Sequence, residues 1–343
     1  MGNSVYIIIL NWNGWKDTIE CLESIQKIKY ENYRLVIVEN GSKDVSLNKI
    51  CLWAKKLKLQ TVLYGKYQAE NGGTLEHEIQ LSNTTSKQKI VIINNEENLG
   101  FAAGANVGIR YAISSGADYV WLLNNDTTVE QNALNRMINV FSGKEKYKGI
   151  TPQIVHYENH DLIWSVGCDF TWYGKLKRYS TNQEILKKRS SVFPVSFITN
   201  CASVYSTELF KEVGLLSEDS FMGEDDYDFS MRLKKYSYKL ACNLDAIVYH
   251  KIGQSFVSVH PIGHIYAEYL CRLISIKKHY SMLIWGIWLI LFSSKIVKRS
   301  FNTKDLSIIK SLKLIKLLMY HFYKNNHYSK ELHFEALGIR NSL

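Results

Sequence analysis

Six apolar residues in unbroken succession, Val5-Tyr-Ile-Ile-Ile-Leu10, run straight into Asn-Trp-Asn-Gly near the start of this 343-residue chain. No polar residue alternates with the branched ones, so a strand with one wet face is excluded. The run predicts a strand buried on both faces, the mark of a parallel sheet covered by helices. Residues 34–39 (Arg-Leu-Val-Ile-Val-Glu) repeat the pattern, and shorter apolar strands are expected at 90–93 and 119–123. Parallel strands need long crossovers, and helical periodicity supplies them at 15–28, 44–57 and 103–115. Strand–helix alternation of this kind predicts an α/β fold with a doubly wound, mostly parallel sheet. Residues 65–89 are polar, carry Asn71-Gly-Gly and Asn83-Thr-Thr-Ser, and show no period, so a surface insertion is expected there. Beyond 150 the pattern is less regular, with short apolar runs at 151–156 and 195–206. A helix from about Glu224 to Lys235 and an edge or mixed strand over 240–250 are predicted.

The net charge of +10 is localised. From Arg272 onward there are thirteen basic residues against three acids, a balance equal to that of the whole chain. A nucleic-acid binder spreads basic groups over its folded domain, so no nucleic-acid partner is expected. Residues 282–292 are eleven uncharged residues, short of the roughly 20 needed to span a bilayer. Over 306–323, lysines 310, 313 and 316 lie at helical spacing among Ile308, Ile309, Leu312, Ile315, Leu318 and Met319, the pattern of a helix lying on an anionic membrane; packing on the catalytic domain is the alternative. Six scattered cysteines without C-x-x-C spacing exclude a disulfide framework and fit a reducing compartment. The apolar start lacks a basic flank, so no secretory signal is read, and Tyr6 breaks a myristoylation motif. The expected location is the cytoplasmic face of the cell membrane, as a peripheral protein.

Polar clusters fall where an α/β sheet binds ligands, at the carboxyl ends of strands. Asn11 and Asn13 follow the first strand, and Glu39 and Asn40 the second. Asn124, Asn125 and Asp126 follow the strand over 119–123. The segment Asn98-Leu-Gly100-Phe-Ala-Ala-Gly-Ala-Asn106 opens a helix, where glycine allows close backbone approach and free N–H groups favour anions. Together these predict a nucleotide site. A carboxylate ending a buried strand is costly unless paired or metal-bound; Asp126 therefore suits Mg²⁺ or Mn²⁺ on a diphosphate, or else it or Thr127 caps the helix containing Glu130. Glu224-Asp225-Asp226-Tyr227-Asp228 packs four acids into five residues, more than a helix start requires. Crowded carboxylates raise one another's pKa, which suits a general base. Arg232 is expected to pair with one of them. His250, a lone histidine after an apolar strand, is by itself better explained by structure.

Taken in order, Ile-Leu-Asn11-Trp-Asn13-Gly, Val-Glu39-Asn40-Gly-Ser, Asn98 to Arg110, Leu-Leu-Asn124-Asn125-Asp126, Glu224 to Arg232 and His250 resemble the bacterial family 2 inverting glycosyltransferases of GT-A fold, over about residues 4–280. Within them the chain is similar to the rhamnosyltransferase-like branch that builds surface polysaccharides. The resemblance implies that Asp126 stands at the family's D-x-D-type motif and His250 at a histidine completing the metal site. It places Glu39 where the family has Asp at the nucleoside base, and Asn11 along the nucleotide. It favours Asp226 as catalytic base, because the spacing to Arg232 is then kept, with Asp225 as the alternative and Glu224 and Asp228 as supports. It implies a dTDP- or UDP-sugar donor, a glycan or lipid-linked acceptor and a divalent metal. Residues 1–260 would form the catalytic domain, donor half to about 126 and acceptor half beyond, with 261–343 a helical tail. The competing expectations are a nucleotidyltransferase, disfavoured because the first loop carries only Lys16, and a non-catalytic membrane-surface protein, disfavoured by the intact acids.

Overall fold

A computed structural model of the chain describes residues 2–179, 190–251, 261–302 and 307–338. The strands are β1 (Val5–Asn11), β2 (Tyr33–Glu39), β3 (Gln60–Gly65), β4 (Lys89–Asn94), β5 (Tyr119–Asn124), β6 (Thr127–Val129), β7 (Tyr147–His156), β8 (Ile163–Ser165), β9 (Cys168–Phe170), β10 (Leu176–Arg178), β11 (Val192–Val195), β12 (Val204–Ser206) and β13 (Lys239–His250). The helices are α1 (Trp15–Ile25), α2 (Ser46–Lys56), α3 (Lys66–Glu70), α4 (Leu75–Ser82), α5 (Phe101–Ser114), α6 (Ala133–Phe141), α7 (Thr207–Val213), α8 (Asp225–Lys235), α9 (Pro261–His279), α10 (Met282–Asn302), α11 (Ile308–Lys324) and α12 (Lys330–Leu337).

The main sheet runs β11-β13-β7-β12-β5-β1-β2-β4-β3. From β5 to β3 every neighbour is parallel, as continuous apolar strands require. Successive β1 side chains alternate between two cores. Tyr6 and Ile8 face α5, whereas Val5, Ile7 and Ile9 face α1, α2 and α6. β12 enters antiparallel between β5 and β7. β13 is a mixed strand, parallel to β7 and antiparallel to β11 and β6.

Several expectations shift. Strand β3 was not anticipated, because as an edge strand it buries only Val62 and Tyr64. Residues 65–89 are folded as α3, α4 and a short 3₁₀ turn, not a shapeless insertion. Glu78 on α4 pairs with Arg34 and bonds Tyr64 and Tyr111, a polar knot that fastens this segment to the sheet. The basic tail is four helices, and their third core also contains Phe170, Tyr227 and Met231. The C-terminal helices thus share a core with β9 and α8. All six cysteines are free.

Helix α5 lies unusually close to β1 and β2. A Cβ on Gly108 would stand 2.7 Å from Ile8 Cγ2 and 3.1 Å from Val38 Cγ2, both on stiff branched side chains. Gly286 on α10 has open space instead. Alanine in a helix interior is worth about 1 kcal/mol over glycine, but overpacking a core costs about 1–3 kcal/mol. Urea unfolding should therefore show Gly108→Ala destabilising the protein while Gly286→Ala stabilises it by up to about 1 kcal/mol.

Candidate functional site

The ends of β1, β2, β4 and β5 meet at one cleft, set by register: Asn11 lies beside Glu39, Glu39 beside Asn94, and Leu10 beside Asn124. A cleft of about 140 Å³ there is lined by Asn40, Asn98, Gly100, Asn124, Asn125 and Asp126, with Leu10, Trp12, Phe101 and Met222 completing it. Gly100 sits at φ +85°, where a Cβ would strike the Phe221 carbonyl, and Phe101 N–H donates to that carbonyl at 3.1 Å. Trp12, Phe101 and Met222 were not foreseen; for Trp12 the signal was its place between Asn11 and Asn13.

Other expected residues shape the walls from behind. Glu39 is buried, and both its oxygens are engaged, by Asn11 Nδ2 at 2.5 Å and the Ser42 N–H at 2.8 Å. Asn13 Oδ1 accepts from the Lys43 N–H. Asn40 Nδ2 donates to Asn98 Oδ1 and to the Gly100 carbonyl, while its Oδ1 accepts from Asn95 and Leu99. Asn106 is fully buried and pins the Leu216 backbone in both directions. The Asn125 amide donates to Thr18 Oγ1 on α1.

Asp126 and His250 are 124 positions apart, yet β6 pairs with β13 so that Thr127 faces His250. The Lys251 N–H donates to the Asp126 carbonyl at 3.0 Å. Lys251 Nζ also grips Asp17 and Glu20 of α1, locking the turn. Asp126 Oδ1 and His250 Nε2 then lie 3.3 Å apart. Asp126 Oδ1 and His250 Nδ1 are buried without a hydrogen-bond partner, which polar groups in a finished interior avoid. A carboxylate oxygen and an imidazole nitrogen so placed fit a divalent cation. Among the described residues no three His, Cys, Asp or Glu side chains gather as a complete metal cage. The alternative of Asp126 or Thr127 as a helix cap is excluded, because residues 127–129 form β6 and the next helix starts at Ala133 behind Asn132.

The acidic run forms the start of α8, and its members differ sharply. Glu224, in the left-handed region at φ +63°, pairs with Arg272 of α9 at 2.5 Å. The Arg272 guanidinium lies over the Tyr227 ring at 4.2 Å. Asp225 is buried and accepts from Asn200 Nδ2 at 2.7 Å, and Asn200 is itself held by the Tyr205 hydroxyl. Asp228 is bound by Arg232, Lys278 and His279 at 2.8–2.9 Å. Burial alone would raise its pKa, but those partners outweigh it and hold the carboxyl well below the usual range. Asp226 is half-buried and, among the described residues, has no side-chain partner. Burial raises its carboxyl above the usual carboxylate range, the charges of Asp225 and Glu224 raise it further, and Arg272 pulls the other way. Burial and then the charges of Asp126 and Asp226 raise the Cys201 thiol. Arg232 pairs with Asp228 as expected and also ties down the carbonyls of Val213 and Leu215. Arg272, Lys278 and His279 carried no sequence signal beyond their charge.

A family model described as glycosyltransferase-like family 2 matches residues 2–259. The dTDP-rhamnosyl transferase RfbF of Shigella flexneri is 20% identical over 293 residues, 83% of this chain and 84% of that protein. The galactofuranosyltransferase GlfT1 of Mycobacterium tuberculosis is 21% identical over 180 residues, 52% of this chain and 57% of that protein. Among solved structures, the mannosyltransferase PcManGT from Pyrobaculum calidifontis, in complex with GDP-Man and Mn²⁺, aligns with a TM-score of 0.56 at 10% identity, over all of this chain and 88% of that one. GalNAc-T7 with UDP, GalNAc and Mn²⁺ aligns with a TM-score of 0.55 at 15% identity, over 99% of this chain but only 57% of that one. At such identities the structural likeness speaks for the GT-A fold alone. The family match spans the whole sheet, the cleft and the acidic helix, and by it the chain belongs to the family 2 glycosyltransferases.

Proposed function

We propose that this glycosyltransferase moves a hexose from a nucleoside-diphosphate donor to a hydroxyl of a glycan acceptor, with inversion, by one in-line displacement. The observation that carries the reading is the division of labour on α8: three of its four acids have side-chain partners, leaving Asp226 open and raised in pKa. Asp226 takes the proton of the acceptor hydroxyl as that oxygen bonds to the anomeric carbon. The carbon–oxygen bond to the diphosphate breaks on the opposite side, and its electron pair leaves with the nucleoside diphosphate. Asp126 and His250 would hold Mg²⁺ or Mn²⁺, which supplies counter-charge to the diphosphate. Asn98, Gly100, Asn124 and Asn125 would bound the donor, with Asn11, Asn13, Glu39, Asn40 and Asn106 fixing the loops around it. Residues 1–126 would serve the donor, 127–260 the acceptor, and 261–343 brace the latter. Similarity to RfbF favours a dTDP-sugar, with a UDP-sugar as the other candidate.

The acceptor would be part of a growing, lipid-linked surface polysaccharide at the cytoplasmic face of the membrane. Support comes from the C-terminal helices, where Leu283, Ile290, Ile308, Ile309 and Leu312 are exposed beside Lys295, Lys298, Lys310, Lys313 and Lys316. No helix among the described residues is long and apolar enough to cross a membrane, so contact would be interfacial.

Four measurements test this. Asp226→Asn should lower transfer by roughly 10²–10⁴-fold without weakening nucleotide binding, and undiminished turnover would sink the mechanism. Because the base works deprotonated, kcat/KM should rise with pH through a midpoint above the ordinary carboxylate range; Asp225→Asn removes a like charge and should move that midpoint down. Nucleotide affinity measured by calorimetry should increase with Mn²⁺ in the wild type, and Asp126→Ala should abolish that increase. Flotation with anionic liposomes at low salt should carry the wild type, and a Lys310→Glu, Lys313→Glu, Lys316→Glu variant should stay behind; a wild type that ignores such liposomes refutes the membrane assignment.

A further inference from the structure

The family match ends at residue 259, yet the structure builds a second and larger cleft from residues beyond it. This cleft has a volume of about 260 Å³. One wall is the loop that leads into α8, through Met222 and Glu224. The other is the C-terminal helices, through Ala267 and Glu268 of α9, Tyr328, and His333 of α12. Met222 also lines the donor cleft, so the two clefts meet at this loop, and the catalytic helix begins at the next residue after Glu224.

We propose that this cleft seats one saccharide unit of the acceptor, so that the C-terminal helices supply half of an acceptor subsite. The proposal rests on the glycosyl-transfer reading above and adds the place and chemistry of acceptor binding.

Wall chemistry favours a sugar ring. Met222, Ala267 and the Tyr328 ring give an apolar floor, while Glu224, Glu268 and His333 bring polar groups to its edge. Glu268 repels an anion, and Glu224 is already charge-paired with Arg272. A hydrocarbon chain laid in the cleft would strip water from those carboxylates without replacing its hydrogen bonds, which is costly. A sugar offers what the walls ask for: a C–H face for the floor and hydroxyl donors for the carboxylates. One oxygen of Glu224 is already taken by Arg272, which fixes the side chain and leaves the other oxygen for a ligand.

The cleft is also preformed. Tyr328 is joined by backbone hydrogen bonds to Asp219 and Phe221, and its hydroxyl meets His333 Nδ1 at 3.2 Å. Lys330 Nζ donates to the Asn98 carbonyl at 3.0 Å and lies over the Phe221 ring. The same C-terminal segment therefore braces the loop of the donor cleft. A site held this firmly loses little ordering entropy on binding.

Two variants probe the cleft. Ala267→Trp fills it, and Glu268→Gln changes an exposed rim residue without touching the core. The probes are a panel of methyl hexopyranosides, farnesyl phosphate, and UDP or dTDP with Mg²⁺, each read by saturation-transfer NMR and calorimetry on the full chain. The wild type should bind at least one methyl hexopyranoside. Ala267→Trp should weaken that binding at least about tenfold, and Glu268→Gln should weaken it about three- to tenfold. Nucleotide affinity should stay within about twofold in both. If Ala267→Trp fails to fold, Glu268→Gln decides alone. Glycoside binding that neither variant weakens, or its absence in the wild type, overturns the proposal. So does farnesyl phosphate binding lost in Ala267→Trp, which would make the cleft a lipid site. A wild type that binds no nucleotide refutes the glycosyl-transfer reading itself, a result distinct from all of these.

Discussion

Four carboxylates within five residues repel one another, and α8 begins with them while basic residues, most of them from α9, hold two of them. Arg272 holds Glu224, and Lys278 and His279 join Arg232 on Asp228. Three of those four partners lie on α9, past residue 259 where the family-model match ends. Losing one partner of a buried pair leaves an uncompensated charge, at a cost of roughly 3–5 kcal/mol. Helix α8 and the C-terminal helices are thus electrostatically interdependent, and their shared core of Tyr227, Met231 and the α9–α12 side chains follows from the same docking. The pairing also sorts the acids, since a carboxylate locked by cations is a poor proton acceptor and one left open among like charges is a better one.

The parallel half of the sheet was legible because strands buried on both faces must be apolar throughout, and a crossover must be helical. Boundaries moved by only a few residues, as at α5, which starts at Phe101 rather than 103. Strand β3 escaped because an edge strand buries two of its six side chains and shows no continuous apolar run. The helices of 66–82 escaped because they bury only Ala69 and Leu81 and are fastened mainly by polar contacts of Glu70 and Glu78, which no local periodicity announces. The positions along the cleft were legible from the Asn and Gly residues at strand ends, but their roles were not. Glu39 and Asn106 look outward in the sequence and face inward in the fold, because only the register reveals that neighbouring loops consume their hydrogen bonds.

His250 shows the same limit from the other side. Nothing local distinguishes it from a structural histidine. What sets it apart is a three-residue strand, β6, too short to be read from sequence, which pairs it with the residue after Asp126. Arg272 and its neighbours were counted as a basic tail when their partners, 48 to 51 positions upstream, were already in view as an unexplained surplus of acid. Excess charge of one sign in one segment and of the other sign in a distant one is a pairing signal, and here it was read as two separate features.

The bond from Lys330 to the Asn98 carbonyl has a thermodynamic consequence. It joins the last described helix to the loop that walls the donor cleft. If a ligand on the C-terminal helices favours one position of that loop, donor affinity changes by some factor, and reciprocity then requires the donor to change affinity for that ligand by the same factor. The last described helix and a ligand of the cleft are in that sense two ends of one equilibrium.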